Sequence, residues 1–153
     1  MTTLVSCTVT GPDAPPVDGV ILVAPAVWAR SAMPLLYRLA LWVSAHTVPW
    51  MDVSGRGLGI QASDNIEMLR ALGQDPLVLK ATRVDAVWGL VDLMDAALDG
   101  AEGLTGPALI LYGEKDEIIP RRPTRAMLKR LPEAARAARR VVIYPEGYHM
   151  LLR

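Results

Sequence analysis

The sequence is poor in the residues that build metal centres and covalent cross-links. It holds one cysteine, Cys7, and two histidines, His46 and His149. A lone thiol closes no internal disulfide, and without partner cysteines or clustered histidines it frames no zinc site, so neither a metal nor another cofactor is expected. Long apolar runs are missing as well. No stretch approaches the roughly 18 residues that span a bilayer, and no basic-plus-apolar leader with a small-residue cleavage site opens the chain. The resulting expectation is a soluble, cytoplasmic protein. Net charge is absent too, because 16 Lys and Arg balance 16 Asp and Glu.

What is present is core-forming material. Apolar residues make up 52% of the 153 positions, which is too apolar for a disordered chain and fits one ordinary domain. Three short runs, "GVILVAPA" (Gly19 to Ala26), "PALILYG" (Pro107 to Gly113) and "RVVIYPEG" (Arg140 to Gly147), are continuously apolar and bounded by Gly or Pro. Continuous rather than alternating apolarity predicts strands covered on both faces, hence an α/β fold with a parallel sheet and helices on each side. Between the last two runs, "PTRAMLKRLPEAARAA" is long enough for a crossover helix that Pro132 stops at about Leu131, giving a βαβ unit.

The first two strands are separated by a long segment of different character. "AMPLLYRLALWVSAH" is apolar around most of its circumference and ends ahead of Pro49. "SDNIEMLRALG" offers a capping box, Asp64 with Glu67, and Gly73 at a C′ position. "TRVDAVWGLVDLMDAALDG" sets Val84, Val87, Trp88, Val91 and Met94 along one stripe. Three helices between two sheet strands read as a cap standing over the strand ends. The expected organisation is therefore an atypical segment 1–18, a core built from 19–26 and 101–153, and a cap over 27–100.

Two residues at the ends of strands carry the chemistry. The strand ending at Gly113 presents Asp116, and the loop after Tyr144 presents His149. In neighbouring parallel strands both loops emerge at one sheet edge, where open α/β folds place their sites. A carboxylate there accepts the imidazole Nδ1 proton, fixes the tautomer and leaves Nε2 as a base. The order acid, then histidine, is that of an α/β-hydrolase triad.

From Gly19 onward the chain resembles the C-terminal half of the α/β-hydrolase group that contains monoacylglycerol lipases and lysophospholipase-like serine hydrolases of the serine aminopeptidase type. The pieces that carry the likeness are "GVILVAPAVW", "SDNIEMLRALGQDPL", "TRVDAVWGLVDLMD", "LILYGEKDEIIP" and "YPEGYHMLLR", in that order. The resemblance implies a partial α/β-hydrolase fold with a helical cap between the first and second retained strands. It implies Asp116 as triad acid, His149 as general base, and a small lipid-like carboxylic ester, a monoacylglycerol or lysophospholipid, as substrate. The sequence departs from the group in having no G-x-S-x-G. That elbow should stand one strand and one helix before "GVILVAPA", so a truncated chain, inactive by itself, is expected. The alternative is a non-catalytic fragment or interaction module. A flavodoxin-like nucleotide-binding domain is the other fold considered, but no phosphate loop follows the first strand.

Other features have plainer readings. Ser31, Ser44, Ser54 and Ser63 lack a strand-turn-helix context, and Cys7 in "LVSCTVT" reads as a small buried hydrophobe rather than a nucleophile. His46 reads as packed or solvated, and "SGRGLG" (Ser54 to Gly59) as a flexible connection. Trp42, Trp50 and Trp88, with several methionines, read as core packing, with an acyl-chain tunnel or a lid making transient membrane-surface contact as the functional versions. Arg121, Arg122, Arg125, Lys129, Arg130, Arg136, Arg139 and Arg140 form a basic segment with Glu133 as its one acid. It reads as a solvated face, with phosphate or anionic-lipid binding as the alternative. No aromatic residue interleaves it, so no nucleic acid partner is expected. An apolar strand left at the sheet edge should seek a partner, whether Leu4 to Val9 or a second copy, so self-association is expected.

Overall fold

The computed structural model describes residues 16–55, 57 and 59–152. Cys7 and the stretch Leu4 to Val9 lie outside the described residues. In chain order the elements are β1 (Val20–Val23), α1 (Leu35–Thr47), β2 (Asp52–Val53), α2 (Ile66–Gln74), β3 (Thr82–Arg83), α3 (Val84–Gly100), β4 (Ala108–Gly113), α4 (Arg121–Arg130) and β5 (Arg139–Tyr144). Turns of 3-10 helix occupy Arg30–Ala32, Ala101–Gly103 and Glu133–Ala138.

All three apolar runs form strands of one parallel sheet in the order β1-β4-β5. Leu22 aligns with Ile110, and Ile110 with Val141, across the three strands. Leu22, Ala108 and Ile110 point into a core completed by Ala97, Leu98 and Ala101 from the end of α3 and its following turn, and by Met127 of α4. Side chains alternate along a strand, so Ile21 turns to the opposite face, where it is 63% exposed against 2% for Leu22. The expectation of helix cover on both faces is thus met on one among the described residues. Continuous apolarity records what a strand can bury, while the neighbours decide what it does bury.

The βαβ unit forms as expected. Pro120 precedes the first turn of α4, and the helix stops at Arg130 ahead of Leu131 and Pro132. Pro132 has no N–H to continue the ladder, and residues 133–138 wind as a 3-10 turn into β5. At the end of β1 the chain turns out of the sheet through Ala24, whose φ of 44° lies in the left-handed region, while its N–H donates to the Leu111 carbonyl at 2.9 Å.

The segment between β1 and β4 holds the three expected helices, with two corrections. The cap of α2 is Asn65, whose side-chain oxygen accepts from Met68 N–H at 3.0 Å, and not Asp64. Gly73 lies within α2 rather than beyond it, because Asp75 N–H reaches the Ala71 carbonyl and carries the helix through Gln74. Sequence periodicity missed the antiparallel pair β2 and β3, in which Asp52 faces Arg83 and Val53 faces Thr82. Two residues per strand leave no periodic signal. This pair, with bonds from Val84 N–H to Met51 and Asp85 N–H to Pro49, fixes the start of α3 against the end of α1.

The inner stripe of α3 buries Val84, Val91 and Met94, then Ala97 and Leu98, while Val87 and Trp88 are half-buried. Arg30 staples this helix to the exit of β1: its guanidinium bridges Asp92 at 2.7 Å and Asp95, and lies 4.3 Å over the Trp88 ring. By contrast α1, which packs along α3, has no buried residue. Among the described residues, no helix is long and apolar enough to cross a membrane.

Candidate active site

The rim formed by the C-terminal ends of β4 and β5 gathers the candidate site residues. Asp116 sits in the turn after Gly113, and its side chain is fully buried. Oδ1 accepts from the backbone N–H of Ile118 at 2.9 Å and of Ile119 at 2.8 Å. Oδ2 lies 2.8 Å from His149 Nδ1, whose side chain remains 26% exposed. A carboxylate offers only acceptors, so the imidazole donates from Nδ1, and in the neutral ring that tautomer leaves Nε2 as the acceptor. Burying a carboxyl group is tolerated when its lone pairs are occupied, and three donors converge on this one.

The meeting of the two loops depends on close backbone approach. A Cβ on Gly113 would stand 2.5 Å from the carbonyl oxygen of Tyr148, and one on Gly147 would stand 3.1 Å from Gly113 Cα and 2.6 Å from a Leu151 methyl. Only glycine fits at either point. Across this contact Glu114 N–H donates to the Tyr144 carbonyl and Lys115 N–H to the Gly147 carbonyl, each at 2.9 Å. Lys115 also pairs with Glu146, and this hydrogen bond raises the ammonium pKa above its ordinary value.

Two further supports have no counterpart in the sequence reading. Tyr112 donates its hydroxyl to the Ile119 carbonyl at 3.0 Å, so one residue, Ile119, is held from below by Tyr112 and holds Asp116 above. Burial, and then the nearby Asp116 charge, raises the Tyr112 pKa above the ordinary phenol value. The second support comes from the segment before α2. Gln61 N–H donates to Glu117 at 2.8 Å and the Ala62 carbonyl accepts from Met150 N–H at 2.9 Å, bracing the acid loop and the histidine loop together. Nothing in "IQAS" announces that role, since both bonds use backbone groups.

The remaining candidates do not join the pair. Ser63 is wholly buried, and its hydroxyl accepts from Asn65 N–H at 3.1 Å. Ser54 donates to the Lys80 carbonyl, Ser44 lies in α1 and Ser31 in the first 3-10 turn. His46 donates from Nδ1 to the Trp42 carbonyl at 2.7 Å, stacks on Trp42 and meets Trp88 edge-on. Within "SGRGLG", Gly57 and Gly59 have φ of 85° and 67°, which suits a glycine-dependent connection.

A cleft of about 430 Å³ opens on the less covered face of the sheet beside the histidine loop, lined by Leu111, Tyr144, Tyr148, Met150, Leu152 and their neighbours. It flanks His149 on both sides in the chain, although neither His149 nor Asp116 lines it.

The family model described as serine aminopeptidase, S33 (Hydrolase_4) matches residues 2–153. None of the curated proteins matches the chain. Among solved structures, the chain is similar to a monoacylglycerol lipase from Paleococcus ferrophilus, with 23% identity and a TM-score of 0.73 over 97% of this chain and 56% of that one. It is also similar to a soluble variant of monoglyceride lipase from Saccharomyces cerevisiae, solved with a substrate analog, with 15% identity and a TM-score of 0.69 over 97% of this chain and 53% of that one. At these identities the likeness speaks to the fold, and the chain spans little more than half the length of either structure. A parallel sheet with helices, matched over nearly its whole length, and a family model covering residues 2–153 agree: the chain belongs to the serine aminopeptidase S33 family of α/β-hydrolases.

Proposed function

We propose that Asp116 and His149 are the acid and base of a serine-hydrolase triad that cleaves carboxylic esters of lipid-like alcohols such as monoacylglycerols or lysophospholipids. The observation that supports this most directly is the 2.8 Å contact between a fully buried carboxylate and Nδ1 of a part-exposed imidazole. In this role His149 Nε2 takes the proton of a serine hydroxyl as the oxygen attacks the ester carbonyl. Asp116 holds the tautomer and stabilises the imidazolium, which then returns the proton to the leaving alkoxide. Deacylation repeats the cycle with water. The lipase names of the similar structures favour an acyl ester among the substrates of this family. Residues 27–100 act as a cap in this reading, in keeping with the bracing of both loops by Gln61 and Ala62.

The sequence contains no G-x-S-x-G, so the base has no elbow serine within residues 1–153 and this chain by itself turns over no ester. The same observation favours a second reading, a non-catalytic interaction module that keeps the fold and the pair without using them. Two arms separate them. A fluorophosphonate probe and a p-nitrophenyl ester are applied first to residues 1–153 alone, then to the chain co-expressed with the G-x-S-x-G-bearing N-terminal portion of a family member. The hydrolase reading expects silence in the first arm, then labelling and turnover in the second that His149→Ala abolishes. Turnover in either arm that survives His149→Ala would sink it, and silence in both favours the module.

A further inference from the structure

Helix α4 carries its charge in an unusual place. At about 100° per residue, Arg121, Arg122, Arg125 and Lys129 fall within roughly 100° of arc, while Pro123, Thr124 and Met127 are buried on the other side. The four cations are exposed and line one shallow depression of about 470 Å³, with Ala126 its one uncharged wall. Five cations outside the stripe, Arg30, Arg83, Lys115, Arg130 and Arg136, each have a carboxylate partner. On α4, Arg130 at the C-terminal end pairs with Asp99, and within the stripe only Arg121 approaches a carboxylate, Glu114 at 3.7 Å. Among the described residues, Arg122, Arg125 and Lys129 have no carboxylate within ion-pair distance. The first turn of α4 contains no acid, and Arg121 and Arg122 occupy the end where the helix macrodipole is positive. There cations oppose the dipole. The arrangement costs the isolated fold some stability, and an external anion relieves it.

We propose that this stripe docks the protein on an anionic phospholipid surface through headgroup phosphates. The choice of a lipid surface among polyanions rests on the lipid-ester reading above. It is favoured over nucleic acid because α4 offers no aromatic ring on which a base could stack. The placement suits such a role, since Arg121 leans on Glu114, whose own N–H ties to the histidine loop at Tyr144. The stripe therefore begins beside the turn that carries Asp116.

The test is co-sedimentation of the full chain with vesicles of phosphatidylcholine alone or containing about 30% phosphatidylserine, at an ionic strength of about 0.1 M. Binding is expected to the anionic vesicles only, and to weaken steeply as salt rises. Each basic residue at such a surface contributes about fivefold in partition, so Arg122→Gln/Arg125→Gln/Lys129→Gln should lower it about 100-fold. Circular dichroism checks that the variant folds, and relief of the repulsion at the helix start should leave its melting point unchanged or raised. Equal binding to neutral vesicles, absence of binding to anionic ones, or a triple variant that binds as well as the parent would overturn the proposal. So would duplex DNA that competes for the stripe as effectively as the vesicles do. The readout is binding rather than turnover, so this proposal and the hydrolase reading fail separately.

Discussion

Strand β4 and the helices α1 and α2 draw on the same kinds of side chain and reach opposite degrees of burial. Strand β4 buries Ala108, Ile110, Tyr112 and Gly113, whereas neither α1 nor α2 buries a single residue. Helix α1 leaves Leu35, Leu36, Tyr37, Leu39 and Trp42 more than half exposed. Its sequence is as apolar as that of a core helix, so composition does not separate the two regions. Neighbours do. β4 is flanked by strands on both sides and covered by α3 and α4 on one face, while α1 has α3 as its main packing partner. Hydrophobic stabilisation scales with area removed from water, so the two regions should respond very differently to the same loss of methylene groups.

The sharpest way to break this comparison is to truncate one aliphatic side chain in each region. Ile110 is fully buried at the centre of the sheet, and Ile110→Ala should cost about 4 kcal/mol through lost transfer energy and a cavity that rigid strands cannot collapse. Leu36 is 71% exposed, and Leu36→Ala in the same urea-unfolding assay should cost at most about 0.5 kcal/mol. Equal losses would mean that α1 is covered in solution.

The next largest effect concerns the site rather than the core. Gly113→Ala places a methyl against the backbone of Gly147 and Tyr148, and backbone cannot step aside as a side-chain tip can. A loss of about 3 kcal/mol is expected. The histidine loop should also shift, so the low-field imidazole proton between His149 Nδ1 and Asp116 should vanish from the NMR spectrum. Retention of that signal at parental stability would show that the glycine contact does not set the meeting of the loops.

Much of the fold and of the pairing was legible because both rest on local signals of sufficient length. Uninterrupted apolar runs bounded by Gly or Pro mark β1, β4 and β5, and parallel strands deliver the loops of Asp116 and His149 to one rim whatever their side chains. Pro132 likewise announced the end of α4. What stayed hidden is decided by tertiary contact. The β2 and β3 pair is too short for periodicity, and the brace from Gln61 and Ala62 uses main-chain atoms that every residue possesses. The shift of the α2 cap from Asp64 to Asn65 turns on which of two adjacent polar side chains meets Met68 N–H. The exposure of α1 depends on which surfaces are present to cover it, which apolar pattern alone does not encode.

Tyr112 tests how far the buried region extends its influence to the site. Its hydroxyl donates to the Ile119 carbonyl, and Ile119 N–H in turn donates to Asp116. Tyr112→Phe keeps the ring and removes one hydrogen bond, leaving a buried carbonyl without that donor, at a cost of about 1 kcal/mol at neutral pH. The pH dependence is the more telling readout. The folded-state pKa of this phenol is raised, first by burial and then by Asp116, so the folded chain holds the proton more tightly than the unfolded one. The associated stability is fully present below the unfolded phenol value of about 10 and is lost as pH rises from there through the folded value. Unfolding midpoints of the parent should therefore fall above about pH 10, and the fall should be shallower in Tyr112→Phe. A variant whose alkaline profile parallels that of the parent would place the titrating group elsewhere and detach Tyr112 from the support of Asp116.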